Sequence, residues 1–195
     1  MISTPETEAA RRLGAPNTPT VREILIWPER ILTQVCPPVE VFDEGLRQLL
    51  ADMAETMLAA RGAGMAAPQV GALVRAVVIL VRTKGGKEVL KLVNPRIVER
   101  RGDVLRREGC LSLPGFFEMF RRSEWVKVEA QDENGARVEI EGDGVLGHAL
   151  QHELDHLDGK VFVEQLSPLK RERARASFRK AKARGMKYRS GIPPN

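Results

Sequence analysis

Gln151-His152-Glu153-Leu154-Asp155-His156 sets two histidines four residues apart, with a glutamate directly after the first. On an α-helix this spacing stacks both imidazoles on one face, with Cβ atoms roughly 5–6 Å apart, so both rings reach one metal ion. Glu153 projects about 100° round the helix from His152, near enough to work on water at the ion without being a ligand. Val145, Leu146, Ala149 and Leu150 make the preceding turns apolar. Asp143 or its neighbouring glycines offer a helix start, and Gly159 a stop. A polar motif inside an apolar helix makes a poor solvated face. The stretch therefore predicts a central helix over about residues 144–158 that carries metal ligands. The bland alternative is two core histidines satisfied by hydrogen bonds.

Working outward, residues 1–20 are polar with Pro5, Pro16 and Pro19, and read as a flexible extension. A first helix starts at Asp43 as N-cap and runs to about residue 60 or 61. Its apolar stripe is Leu46, Leu49, Leu50, Met53 and Met57, and glycines follow where it should stop. Residues 74–81 are nearly continuous and β-branched, as in a buried strand. Residues 89–98 form a second strand, which Pro95 assigns to a sheet edge. Residues 125–130 and 137–141 alternate around Asn134-Gly135, a hairpin signal. Residues 161–163 read as a short extended piece, and Ser167-Pro168 opens a last helix with Ser167 as N-cap. The fold class is α+β: small mixed or antiparallel sheets packed around the central metal-binding helix, with a basic helix at the C-terminus.

The 195 residues suffice for one well-buried core. No apolar run approaches the ~20 residues of a membrane span, and nothing near the start resembles a secretory signal. With two cysteines, Cys36 and Cys110, there is no disulfide framework, so the expected compartment is the reducing cytoplasm. The net charge of +5 hides a division. Residues 168–195 hold ten Lys or Arg against Glu172, which leaves the body acidic. A basic tail on an acidic globule implies a polyanion near one end of the molecule.

The H-E-x-x-H pattern belongs to metal-dependent hydrolases, and the third ligand separates their kinds. One group continues H-E-x-x-H-x-x-G-x-x-H. Gly159 occupies that glycine's place, but Phe162 stands where the histidine should be. Glu164 and Glu172 lie downstream in no recognisable second motif. His148 sits one turn before His152, yet three ligands along one straight helix spread over about 12 Å of rise, too far for one ion. His148 reads better as a pocket-rim residue. Cys110 remains, in Glu108-Gly109-Cys110-Leu111-Ser112. A lone cysteine is more often a small buried hydrophobe, but a thiolate with two imidazoles leaves a fourth position open, the geometry of catalytic sites.

Three segments together resemble the peptide deformylase family: Gly62-Ala63-Gly64-Met65-Ala66-Ala67-Pro68-Gln69, Glu108-Gly109-Cys110-Leu111-Ser112 and Gln151-His152-Glu153-Leu154-Asp155-His156. They occur in the family's order, within a similarity spanning roughly residues 21–170. Ala63 and Met65 replace a larger aliphatic and a leucine common at those places. The resemblance implies a catalytic domain over residues 21–167 and a basic helix and tail over 168–195. It implies hydrolysis of the formyl group from N-formylmethionyl nascent peptides. Cys110, His152 and His156 would hold a divalent metal, ferrous iron in the working enzyme, with zinc, nickel or cobalt able to substitute. Glu153 would move protons, while the Gln69 amide and the Leu111 backbone N–H would stabilise the developing oxyanion. Backbone groups of Ala63, Gly64 and Gly109 would pair with an extended substrate. Val145, His148 and Ala149 would line the methionine pocket, and Glu108 would pair with Arg122. Cys36, Trp27 and Trp125 read as structural.

Two other functions compete. A zinc endopeptidase of the same motif requires a downstream third ligand. A non-catalytic RNA-binding or ribosome-associated protein with a structural metal leaves Glu153 without a purpose. For the basic C-terminal helix, ribosomal RNA is the polyanion that suits an enzyme of nascent chains, and the bland alternative is a solvated, charge-rich helix with one side packed on the body.

Overall fold

Asp43 starts the first helix, α1 (Glu44–Ala59), its carboxylate accepting the Leu46 backbone N–H at 2.9 Å. The computed structural model describes residues 18–83 and 85–183. Most of the expected N-terminal extension, residues 1–17, and the tail cations at positions 184, 187 and 189 lie outside the described residues. After α1 the chain forms β1 (Gly64–Ala66), β2 (Ala76–Thr83), β3 (Gly86–Arg101), β4 (Val104–Gly109) and β5 (Phe117–Arg122). The hairpin β6 (Trp125–Gln131) and β7 (Arg137–Asp143) follows, then the central helix α2 (Gly144–Leu157) and the basic helix α3 (Pro168–Ala183). Ser167 accepts the Arg171 backbone N–H through its carbonyl as α3 begins.

Every strand pairing is antiparallel, in a five-stranded sheet of order β1-β2-β3-β6-β7 and a separate β4-β5 hairpin. The period of two in β2 sorts its side chains between two cores. Val77 and Ile79 join Leu92, Val126, Val128, Leu150, Leu154 and Leu157 beneath α2. Ala76 and Val78 join Leu50, Met53, Met57 and Met65 beneath α1. A third cluster, with Trp27, Leu32, Phe162 and Ala174, seats α3 against the N-terminal segment. The α+β class holds, with α2 against one face of the sheet and α1 against the other.

Several local expectations change. The strand assigned to an edge by Pro95 is the middle strand of the sheet. Its register shifts between Val93 and Arg96, and Asn94 takes φ 51. This bulge lifts the donor-less Pro95 out of the ladder. The Asn94 side chain holds it in place, accepting the Val39 N–H at 2.8 Å and donating to Val39 O and Gln131 Oε1, each at 2.9 Å. The piece expected to be extended at 161–163 runs instead into a 3-10 turn, Phe162–Gln165, closed by Glu164 N–H to Val161 O at 2.9 Å. The β4-β5 hairpin and the short β1 were not anticipated.

Asp52, on α1, ties the entering chain to the core. It accepts from the Thr20 N–H at 2.9 Å, from Gln48 at 2.7 Å and from the Arg22 guanidinium at 2.8 and 2.9 Å. Burial opposes its ionisation, but these donors outweigh burial and hold its carboxyl below the ordinary range. A lowered folded-state pKa gives stability that is present above the unfolded value of about 3.9 and lost as pH falls. Urea melts of D52N should show a deficit of about 1–3 kcal/mol at pH 7, narrowing as pH falls from about 5 towards 3. A deficit that stays constant over that range would contradict the role of an ionised Asp52.

Candidate metal centre and substrate cleft

The exposed polar face expected of an ordinary surface helix is missing from the middle of α2: Gln151, His152, Glu153 and His156 are all buried. Each has a reason to be there. Gln151 staples the helix to the β5-β6 connection, accepting the Ser123 N–H and donating to Ser123 O, both at 2.9 Å. His152 and His156 face Cys110, which directly follows β4. One donor atom from each of these three residues lies within 4.8 Å of the others. The Cys110 sulfur is 3.2 Å from His156 Nε2.

Glu108, at 1 % exposure, organises the cluster from behind. One carboxylate oxygen is 2.7 Å from His152 Nδ1 and 2.7 Å from Arg122 Nη2. The other is 3.0 Å from Arg122 Nε and 3.0 Å from His148 Nε2. Arg122 also donates to Asp155 on α2 at 2.5 Å. Burial would raise the Glu108 pKa, but hydrogen bonds from His148, His152 and Arg122 overcome it and hold the carboxyl well below its usual range. An ionised Glu108 accepts a hydrogen bond from His152 Nδ1–H, which leaves Nε2 to offer its lone pair on the Cys110 side, the arrangement typical of a metal-ligating histidine.

The donor set fits a divalent metal. Burial disfavours charge on both imidazoles, yet hydrogen-bonding and attraction from the Cys110 sulfur, with the Glu108 and Glu153 carboxylates, keep the His152 pKa well above normal. Burial and the neighbouring His152 charge push His156 well below it. The two imidazoles thus differ in proton affinity although they face the same sulfur. Soft sulfur with two nitrogens suits zinc, iron, nickel or cobalt, and the cluster has three protein donors among the described residues.

Around this centre lies a cleft of about 650 Å³. Its lining includes Ala63, Gly64, Gln69, Gly109, Cys110 and Leu111 on one side, and Val145, His148, Ala149 and Glu153 from α2. Gln69 is 1 % exposed, and its Oε1 accepts the Ala66 N–H at 2.8 Å. That bond fixes the amide so that Nε2 points to Cys110 Sγ, 3.5 Å away, and Ser112 Oγ, 3.2 Å away. The Ser112 N–H also reaches the sulfur at 3.4 Å. Glu153 Oε2 is buried with no hydrogen-bond partner from the protein. Burial, aided by the Glu108 charge and opposed by His152, pushes the Glu153 carboxyl up to about 7. Gly64 has no side chain because a Cβ there would sit 2.6 Å from Glu153 Oε1.

The family model for polypeptide deformylase matches residues 21–172. The chain belongs to the peptide deformylase family. A deformylase of Alkalilimnicola ehrlichii is 43% identical over 165 residues, covering 85% of this chain and 93% of that one. A deformylase structure from Legionella pneumophila superposes with TM-score 0.79 at 45% identity, covering 85% and 99% of the two chains. One from Ehrlichia chaffeensis, solved in complex with actinonin, gives TM-score 0.78 at 38% identity over 83% and 97%. The deformylase family is metal-dependent, in keeping with the cluster.

The residues singled out for the site line this cleft except His156, which is buried against Cys110; His148 lines it and also supports Glu108. Cys36 is buried apart from it, its thiol pushed up to about 11 mainly by burial. Sequence reasoning overlooked Gln151, Asp155 and Ser112 as supports. The signal for the first two was available, since each is a polar residue within an otherwise apolar helix.

Proposed function

We propose that the chain acts as a peptide deformylase on nascent polypeptides, hydrolysing the formyl group of the initiating N-formylmethionine and releasing formate. The observation that carries this reading is the convergence of a three-donor cluster, an unpaired Glu153 carboxylate oxygen and the braced Gln69 amide in one cleft with small-residue walls. Cys110, His152 and His156 would hold one divalent ion, ferrous iron on the family resemblance, with zinc, nickel or cobalt as substitutes. Such an ion supplies Lewis acidity and lowers the pKa of a water in the site to about 7. Glu153 takes the proton from that water as its oxygen bonds to the formyl carbon, then delivers a proton to the amine nitrogen as the C–N bond breaks. The Gln69 side-chain N–H and the Leu111 backbone N–H donate to the carbonyl oxygen as its charge grows. One such donor is worth about 10²–10³ in rate. Ala63, Gly64 and Gly109 offer backbone groups to an extended peptide, and Val145, His148 and Ala149 receive the methionine side chain.

Phe162 weighs against the endopeptidase reading. It occupies the place of a downstream ligand, yet it is an aromatic at 1 % exposure, packed edge-on to Phe120 and tilted against Phe116 and His152. A structural metal would take four protein donors rather than three. The free thiols favour a reducing cytoplasm as the place of work, and no helix among the described residues is long and apolar enough to cross a membrane. In domain terms, residues 21–167 form the catalytic unit and 168–195 an appended basic segment.

The test is formate release, measured anaerobically, from a formyl-Met tripeptide beside its acetylated counterpart. The formyl peptide should be hydrolysed and the acetyl peptide nearly spared. Glu153→Gln should keep its metal by elemental analysis while losing at least about 10²-fold in turnover. Metal loss in that variant would make Glu153 a ligand instead.

The basic segment is read as a dock for ribosomal RNA. Its helix buries Ala174 in the third cluster, and Lys170 reaches Glu118 at 3.2 Å, so a truncation should begin beyond these two residues. Removing residues 180–195 deletes five of the ten cations. Ribosome affinity should weaken, and its log–log salt slope should shrink by about 0.7–0.9 for each phosphate that is no longer neutralised. Hydrolysis of a short formyl peptide should stay within a few fold. Unchanged binding at low salt would remove the docking assignment.

A further inference from the structure

The cleft opens between two lips of unusual make-up. One is the turn after α1, where Arg61 lines the opening, solvent-exposed and at φ 54. The other is the outer face of the β4-β5 hairpin. There Gly109 pairs with Phe117 and Arg107 with Met119, so these side chains share a face. The Phe117 ring lies directly across Gly109, where a Cβ would meet it at 2.5 Å. The Arg107 guanidinium stacks on the same ring, 4.3 Å from its centroid. Phe117 is 52 % exposed and lines the cleft. It therefore holds a cation at the opening on an apolar plate.

The neighbouring charges are already spoken for. Arg121, on the same face, is paired with Asp103 at 2.8 Å. Glu118 points to the other face and meets Lys170. Glu153, the carboxylate in the lining, is 4 % exposed at the bottom of the cleft. Neither Arg61 nor Arg107 has a carboxylate within ion-pairing distance among the described residues. The mouth therefore carries two uncompensated positive charges, one on each lip, over a substrate path whose inner end is set by the metal cluster.

We propose that Arg61 and Arg107 make this mouth selective for acidic side chains at the second and third positions of the substrate and against lysine or arginine there. This rests on the cleft being the deformylase site. A peptide whose formyl group is at the cluster must leave past both lips. At about 3.3 Å per residue an extended chain brings its next two side chains into the opening. Screening by solvent limits each interaction, but two guanidiniums acting on two side chains reinforce one another.

The experiment compares kcat/KM for three C-terminally amidated peptides: formyl-Met-Glu-Glu, formyl-Met-Gln-Gln and formyl-Met-Lys-Lys. The Glu peptide should exceed the Lys peptide by about tenfold at low salt, with the difference mainly in KM, and the ratio should collapse towards one near 1 M salt, where the Debye length is about 3 Å. In the R61Q/R107Q double variant the ratio should also approach one. In R61K/R107K, which keeps both charges, it should persist. Because each ratio is taken within one enzyme, a general loss of rate cancels. Hydrolysis of all three peptides at similar rates at low salt would overturn the proposal and leave the deformylase reading intact. So would a ratio that survives in R61Q/R107Q or vanishes in R61K/R107K. No formate from the neutral Gln peptide would overturn both.

Discussion

The ionised Glu108 carboxylate is the constraint on which the site depends. It is completely enclosed, and a buried charge of this kind is tolerable only with full compensation. Arg122 supplies the opposite charge through two hydrogen bonds, and His152 and His148 supply two more contacts. Those partners come from β5 and α2, whereas Glu108 belongs to β4. Satisfying one carboxylate therefore fixes the hairpin against the central helix. Cys110, two residues past Glu108, is brought to the histidines as a result. The same hydrogen bond that satisfies Glu108 also sets the tautomer of His152. Folding and metal-site assembly are thus a single electrostatic problem with one solution.

The substrate side follows from the absence of side chains as much as from their presence. Gly64 lets β1 run against Glu153, and Gly109 lets Phe117 lie flat across β4. Gln69 achieves its orientation by committing its carbonyl oxygen to Ala66, which turns its amide nitrogen towards Cys110 and Ser112. Glu153 has one carboxylate oxygen buried without a hydrogen-bond partner from the protein. Such an atom is costly in a folded protein unless its role is chemical.

Much of this was legible in the residues. The i, i+4 histidines and the apolar turns before them identify α2, and the Asp43 cap and the apolar stripe after it identify α1 to within about a residue. The β6-β7 hairpin follows from its alternation and its Asn-Gly turn. The order of the strands was less accessible, because Pro95 marks a place without a backbone donor but does not say whether a bulge or a sheet edge absorbs it. The β4-β5 hairpin escaped notice for a related reason. Its strands read Val-Leu-Arg-Arg-Glu-Gly and Phe-Glu-Met-Phe-Arg-Arg, with arginine on both faces. Arg122 is buried for Glu108, Arg106 is half-buried, and Arg107 and Arg121 are exposed, so the usual apolar-polar alternation is obscured by a long-range ion pair. Three segments near the cleft identified its chemistry, but the cationic lips are visible only once the hairpin is folded over Gly109.

The central claim is that one thiolate and two imidazoles, from the end of β4 and from α2, form a single metal site. X-ray absorption on anaerobically purified, stoichiometrically loaded protein tests it most directly. The absorption edge identifies the metal, for which iron is expected. The fine structure should fit one sulfur at about 2.3 Å and two imidazole nitrogens at about 2.0–2.1 Å, the distances typical of such ligands on a zinc-sized ion, and the sulfur shell should vanish in Cys110→Ser. A metal shell without sulfur, or one unchanged by that substitution, would contradict the account.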